Sequence, residues 1–349
     1  MKLLLDYLQK YYTPDMYPAL ESCMRQWRTS RPFAGKKVLD ATPVFRNTMV
    51  KYAVLLAGGA DLTVSVGRDI PCDRETADIL PRFGIRVADD EILQEDFDVV
   101  ADCAGRHCRV SSRYGYAELT RSGLEYYREC RQAVFSVDSG IVKQFETAFG
   151  TGESFFRAMR QLGYRDFSGK TVLIFGGGKV GRGVAFYALR EGMNTIVADR
   201  RKVTVAPGAV VVDPADKVLM KKLIAGAWCI VSATGVIDAL AEFAGEMQKS
   251  DAVIANMGVE DEFGSVMPRE RVLNDKHPLN FILDEPTEIR YIDPSMALSN
   301  LALAGLLAGK FPSGINTPPR DMEMAVIADM RNGGMLDKEI DIVLKENSL

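Results

Sequence analysis

The stretch Thr171–Asp199, TVLIFGGGKVGRGVAFYALREGMNTIVAD, decides how this chain is read. An apolar run of strand length, TVLIF, meets three consecutive glycines. A segment of helical period follows, VAFYALREG, and then a second apolar run that ends on an acid. Gly176, Gly178 and Gly181 fit G-x-G-x-x-G, with Lys179 and Val180 between them. In a strand–turn–helix unit the first glycine allows the tight turn, the second lets backbone N–H groups approach a pyrophosphate, and the third lets helix and strand pack closely. The helix N-terminus then favours the phosphate charge. Asp199 stands 18 positions beyond Gly181 at the end of TIVAD. An acid there accepts both ribose hydroxyls and repels a 2′-phosphate, so the expected cofactor is NAD. Arg200 and Arg201 follow directly, and arginines after this strand are also suited to holding the phosphate of NADP.

Working outward, apolar runs recur at AVVVD, AWCIVSAT and DAVIANMG, separated by helix-length segments, as in a doubly wound sheet. Upstream, KKVLDAT, ADLTVSVG, GIRVADD and DFDVVADCAG alternate with helical patterns and predict a second parallel sheet. Residues 113–165 read as mostly helical, broken by one short strand, AVFSV. Three helical segments close the chain: MALSNLALAGLLAG, DMEMAVIADMRNG and LDKEIDIVLKEN. The expected fold is α/β, with two Rossmann-like doubly wound parallel-sheet domains and a cleft between them. A substrate domain over 1–150, completed by helices from 293–349, is expected beside a cofactor domain over 151–292.

Composition narrows the classes of function. With 349 residues the chain exceeds what one core comfortably supports. It is 47% hydrophobic and 26% charged, with a formal net charge of −4. That balance lacks the basic face of a nucleic-acid binder. No stretch approaches the ~20 apolar residues of a membrane span. The first residues, MKLLLDYLQKYY, carry Asp6 early and are not expected to form a secretory leader. The six cysteines show no C-x-x-C spacing, which suits reduced thiols in a cytoplasmic protein. No cluster has metal-ligand spacing, and no Gly-x-Ser-x-Gly elbow occurs, so neither metal catalysis nor acyl-enzyme chemistry is expected.

The candidate chemistry gathers at strand ends. Asp102 closes a strand at the carboxyl edge of the first sheet, and His107 follows in the same loop. Lys143 and Glu146 are i, i+3 on an expected helix face, where the lysine could orient or deprotonate a hydroxyl. Arg46 and Arg68 end sheet-edge loops and could bind a carboxylate or phosphate, and Asp293 is expected to face the cleft. Thr234, Gly235, Asn256, Thr120 and Ser122 complete the candidate cofactor contacts.

These motifs in this order resemble adenosylhomocysteinase. The family's G-K-x-x-x-V-x-G-Y-G-D-V-G-K-G corresponds to Gly169–Gly183, its T-T-T-G-x-I-D to Ser232–Asp238, and its N-I-G-H-F-D to Asn256–Asp261. Its hinge segment is similar to Asp293–Ala302, and VDSGIVKQFETAFGTGES (137–154) is similar to its switch helix. The likeness extends from about Val38 to Ala302. It implies tightly bound NAD, transient oxidation of a hydroxyl, a base and lysine beside it, and a homo-oligomer, either dimer or tetramer. In the switch helix the family's Lys, Asp, Asn and Cys correspond to Lys143 (with a one-residue slip), Glu146, Thr147 and Thr151. Elsewhere the adenosine apparatus is rewritten. Val259 and Asp293 stand where the family has histidines, Cys103 where it has a carboxylate, and Pro43–Val44–Phe45 where it has H-M-T. Sites built for particular hydrogen bonds reject ligands that leave them unpaired by roughly 10⁴-fold, so a different small polar substrate is expected. Two alternatives stand beside this reading: a true S-adenosylhomocysteine hydrolase with unusual residues, and an inert NAD-sensing regulatory protein.

Overall fold

The computed structural model describes all residues except 68–70, 90–91, 93 and 348–349, so Arg68 lies outside the described residues. The chain divides into two compact units. Met1–Phe145 with Glu288–Leu349 forms the first, and Glu146–Thr287 forms the second.

The first unit contains strands β1 (Lys37–Asp40), β2 (Asp61–Ser65), β3 (Arg86–Ala88), β4 (Asp96–Asp102), β5 (Ser111–Glu118) and β6 (Ala133–Ser136). The second contains β7 (Thr171–Phe175), β8 (Asn194–Ala198), β9 (Val210–Val212), β10 (Cys229–Ser232), β11 (Val253–Asn256) and β12 (Leu273–Pro278). A last short strand, β13 (Gly314–Asn316), returns to the first sheet beside β6. Helices α1 (Lys2–Leu8), α2 (Pro18–Ser30), α3 (Thr48–Ala57) and α4 (Arg74–Ile79) belong to the first unit. α5 (Thr151–Gln161), α6 (Lys179–Arg190), α7 (Lys217–Gly226) and α8 (Ala244–Lys249) belong to the second. α9 (Ile289–Leu307), α10 (Arg320–Gly333) and α11 (Asp337–Glu346) close the first.

Among the described residues both sheets are parallel throughout. Their orders are β13-β6-β5-β4-β1-β2-β3 and β12-β11-β10-β7-β8-β9. Such strands are covered on both faces, which is why VLIF, CIVS and VIAN read as continuous apolar runs rather than alternating ones. In each sheet the chain winds one way from the first strand, then the other way from the fourth. The order therefore reverses between β1 and β4, and again between β7 and β10. Ligands of open α/β sheets bind outside the carboxyl ends of the strands at such reversals.

Four elements differ from the sequence reading. The segment expected to run helical from Tyr116 is instead β5, followed by one 3₁₀ turn over Ser122–Tyr127. Its strand signal is weak because it carries buried polar groups, Ser112 and Glu118, and a glycine, Gly115. A Cβ on Gly115 would stand 2.1 Å from the carbonyl oxygen of Ala133 on β6, so the close strand pairing requires glycine there. The segment carrying Glu146 is wound as a π-helix over Phe145–Gly150 and becomes α-helical only at Thr151. The α-helical i, i+3 spacing expected for Lys143 and Glu146 does not hold across that change of pitch. The two residues also belong to different units. Finally, β12 and β13 are short edge strands with half-exposed residues, too weakly patterned to stand out in the sequence.

Candidate functional site

The second unit places its glycine turn at the strand-order reversal. β7 ends at Phe175, and Gly176 turns with φ +97°, a left-handed conformation that favours glycine. A Cβ there would meet the Ala233 carbonyl oxygen at 2.4 Å, because the loop after β10 passes directly alongside. Gly181 sits inside the first turn of α6, where a Cβ would stand 1.8 Å from the Gly176 carbonyl oxygen. Gly178 caps α6, and no side chain caps the helix N-terminus. A Cβ on Gly178 would meet no protein atom within 4 Å. The fold thus demands glycine at 176 and 181, whereas at 178 only a bound group would press on a methyl. That contrast fits a phosphate-bearing ligand seated on the helix N-terminus.

Asp199 lies beyond β8 beside this turn. Its Oδ2 accepts from the Gly177 N–H at 2.8 Å, and its Oδ1 accepts from the Arg201 N–H at 2.8 Å. The Arg201 Nε stands 3.5 Å from the same Oδ1. Burial alone would raise the Asp199 pKa. The two backbone donors and the guanidinium outweigh it and hold the carboxyl below the usual range. A cavity of about 410 Å³ opens beside this carboxylate. Gly176, Gly178, Asp199 and Arg200 line one part of it, and Leu240 and Phe243 form an apolar wall. The arrangement suits the sugar and base of a nucleotide, with the carboxylate at the sugar.

A residue that the sequence reading missed holds the opposite wall. Glu262 is fully buried. Its Oε2 accepts from the Thr234 N–H at 2.8 Å, from the Thr234 hydroxyl at 2.7 Å and from the Ser232 hydroxyl. Its Oε1 accepts from the Gly235 N–H at 2.7 Å. Thr234 and Gly235, expected as cofactor contacts, are therefore fastened to the protein through these donors. Asn256 is similarly engaged. Its Nδ2 donates to the carbonyls of Glu260 at 2.8 Å and Lys276 at 2.7 Å, and its Oδ1 accepts from the Gly258 N–H at 2.9 Å. Glu262 thereby fixes Thr234, which lines the cavity, whereas Asn256 fixes the Gly258–Glu260 loop and the Lys276 backbone, which do not line it. The only signal for Glu262 in the sequence is its place as the third acid of the run Glu260–Asp261–Glu262. Glu262→Gln must turn an amide N–H₂ toward donors on one side, leaving at least one buried donor unmet at a cost of about 1–3 kcal/mol. The expected result is nucleotide affinity weakened by about tenfold, with Glu262→Asp intermediate. A binding titration checks it, and an unchanged affinity in the glutamine variant would refute the assignment.

The first unit gathers carboxylates at its own strand-order reversal. Asp40, the last residue of β1, is fully buried and ion-paired with buried Lys51, which also donates to the Thr42 hydroxyl at 2.9 Å. Asp102 ends the neighbouring β4 and is 1% exposed. It accepts from the N–H of Cys103 at 2.8 Å, from the N–H of His107 at 2.9 Å and from the Tyr127 hydroxyl at 2.6 Å. Burial, with Glu118 nearby, pushes Asp102 up to about 7. Glu118 is fully buried and accepts from the N–H groups of Ala104, Gly105 and Thr120, at 3.0, 3.1 and 2.7 Å. Burial raises its pKa too. The loop over 103–107 is thus wound around two carboxylates.

This geometry alters several expectations. His107 is enclosed at 1% exposure, with its Nε2 2.8 Å from the Ser65 hydroxyl, rather than open to a ligand. Thr120 donates to Glu118 through its hydroxyl at 2.6 Å, and Thr120 and Ser122 belong to the first unit, not to the unit carrying the glycine turn. Asp293 is a correction. It lies fully buried on α9, and its two oxygens accept from the Ala19 and Leu20 N–H groups at 3.0 and 2.8 Å. It caps α2 instead of facing a ligand, because the N–H groups of Ala19 and Leu20 lie in the first turn of that helix, where no intrahelical carbonyl can accept them. Arg46 lies 4.4 Å over the Tyr11 ring. Lys143 is buried at the helical start that leads into the π-helix, directly after Val142, whose N–H donates to Glu323 of α10 at 2.9 Å.

No protein-family model matches the chain. It is 22% identical over 282 residues to the adenosylhomocysteinase of Thermoplasma acidophilum, covering 72% of this chain and 68% of that protein. It is 25% identical to the adenosylhomocysteinase of Sulfurisphaera tokodaii, spanning 64% of that protein, just under two thirds of its length. The S-inosyl-L-homocysteine hydrolase of Methanosarcina mazei is 22% identical and is covered over 88% of both chains. Among solved structures, a dipicolinate synthase chain from Bacillus halodurans aligns with a TM-score of 0.55 at 12% identity, covering 79% of this chain and 99% of that one. That likeness establishes a shared fold. No helix among the described residues is long and apolar enough to cross a membrane.

Proposed function

We propose that this chain, a divergent relative of the adenosylhomocysteinases, is an NAD-dependent enzyme that oxidises or reduces a hydroxyl or imine carbon of a small polar metabolite. The observation that carries the proposal is the glycine turn at the β7/β10 reversal, with the Asp199 carboxylate beside a cavity of nucleotide size. NAD, when bound, would supply a hydride acceptor or donor. The α6 N-terminus and the Gly178 backbone would hold its pyrophosphate, Asp199 would accept from the ribose hydroxyls, and the wall at Leu240 and Phe243 would cover the base. The second unit is then the cofactor domain and the first the substrate domain. Within the first unit Lys143 is assigned the orienting or deprotonating role, Asp102 and His107 the holding of the 103–107 loop, and Arg46 the contact to an anionic group; Glu146 is assigned a tuning role in the second unit.

Titration of the purified protein with NADH, followed by nicotinamide fluorescence, tests the first step, and absence of saturable binding defeats it. Once a metabolite that reduces bound NAD has been identified, Lys143→Ala is expected to lower kcat by about 10²–10⁴-fold, the range for removing a general base. Unchanged turnover would remove Lys143 from the mechanism. A second reading is favoured by the names of the matched relatives, which are hydrolases of homocysteine thioethers. Thiol released from S-adenosyl- or S-inosylhomocysteine, detected with a thiol reagent, would favour that reading over a net redox reaction.

A further inference from the structure

We propose that Glu242, acting with Asp199, sets the preference of this pocket for a dinucleotide with free ribose hydroxyls over one bearing a 2′-phosphate; the proposal rests on the reading of the cavity as a dinucleotide site. The segment after β8 reads Asp199–Arg200–Arg201, an acid that repels phosphate followed by two guanidiniums that would bind it. The sequence leaves the balance between them open. In the structure, each of these cations is held by a carboxylate. Arg201 is turned onto Asp199. Arg200 has its Nη2 3.7 Å from Glu242 Oε1. A third cation, Lys217 at the start of α7, places its Nζ 2.6 Å from Glu242 Oε2 and 4.5 Å from the centre of the Phe243 ring. Glu242 itself lines the cavity together with Asp199, Arg200 and Arg201.

Glu242 therefore does two things. It adds a second negative charge near the one on Asp199, and it keeps Arg200 and Lys217 occupied. A phosphate entering here would have to displace a carboxylate from both cations before it could use either. The three cations and Glu242 are exposed, so water and salt screen them, and each pair contributes little alone. The effect of Glu242 should accordingly be moderate by itself and larger once Asp199 no longer repels the phosphate, since groups in one charge network are not additive.

The test measures Kd for NADH and NADPH separately by nicotinamide fluorescence, at low and at raised ionic strength, on the full chain and three variants: Glu242→Gln, Asp199→Ser and the double variant. The wild-type protein is expected to favour NADH. Glu242→Gln should reduce the ratio of the two Kd values about fivefold, within the range for exposed ion pairs, through tighter NADPH binding that weakens with salt. The double variant should shift the ratio by on the order of a hundredfold, more than the product of the single shifts. The proposal is overturned if Glu242→Gln leaves the ratio within twofold of wild type while Asp199→Ser moves it, or if the double variant is merely multiplicative. A wild-type protein that binds neither nucleotide defeats the dinucleotide reading itself, an outcome distinct from an unshifted ratio.

Discussion

Gly181→Ala is expected to abolish dinucleotide binding, with NADH affinity falling by more than about a hundredfold and thermal stability falling with it. The added methyl would lie 1.8 Å from a backbone carbonyl, that of Gly176. No side-chain rotation relieves a clash between a Cβ and the main chain, so either the turn or α6 must move. The turn has little freedom. Gly176 already occupies φ +97° and is backed by the Ala233 carbonyl at 2.4 Å from its own ideal Cβ. Any shift therefore propagates to the loop after β10, which carries the other wall of the cavity. Gly178→Ala is the diagnostic contrast. Its methyl would touch nothing in the protein, and its backbone, φ −71° and ψ −168°, is open to any residue. This variant should melt like the wild type while losing affinity, because only the bound pyrophosphate would meet the methyl. Calorimetry and NADH titration of the two variants separate the cases. Wild-type affinity in Gly178→Ala would mean that no phosphate sits on that turn.

Asp293→Ala is expected to cost about 2–4 kcal/mol of stability, in the range for removing a buried acceptor and leaving its donors unmet. The residue is wholly buried, and it satisfies two backbone N–H groups at the start of α2. That helix packs against α3, α9 and α10, so its first turn supports much of the first unit's helical layer. Asp293→Asn should cost less, since the amide keeps one acceptor and removes a charge from a site that disfavours it. The same burial predicts an unusual dependence on pH. Burial pushes Asp293 and Asp102 up to about 7, against unfolded values near 4, and raises Glu118 and Glu323 as well. Between about pH 4 and 7 the folded first unit holds protons that the unfolded chain has released. Stability from these groups is therefore fully present below the unfolded values and is lost as pH rises through the folded ones. Asp199 and Asp261 run the opposite way, but their pKa values are lowered, so their contribution is lost only in more acidic solution, as pH falls through those values. The melting temperature should decline from pH 5 to pH 8, and Asp293→Asn should flatten that slope. A melting temperature that rises over this range in the wild type would contradict the account.

Much of the second unit is legible in the amino-acid sequence alone, because its information is local. Continuous apolar runs mark strands covered on both faces, and a glycine turn between such a run and a helix has few other uses. The first unit is harder to read. β5 has the pattern of a helix in sequence because tertiary contacts supply what its residues lack: donors for Glu118 and a close neighbour for Gly115. His107 reads as an open loop residue, and Asp293 as a ligand contact, yet both are enclosed. Their partners, Ser65 and the start of α2, lie far away along the chain.

The sequence by itself determined the class of fold, the position of the glycine turn at Gly176–Gly181 and the acid at Asp199, because turn geometry, helix polarity and strand burial act over a few residues. Tertiary structure alone decided which charges are spent inside the protein and which remain for a ligand. Asp102 and Asp293 read as candidate ligand contacts in the sequence and Glu118 and Glu262 are not singled out there, yet each is buried and anchors a loop or a helix end. Arg200 looks free to bind phosphate, yet it faces Glu242. The reason is physical: the environment of a charge depends on donors and counter-charges that the fold brings in from distant segments, and no local pattern records them.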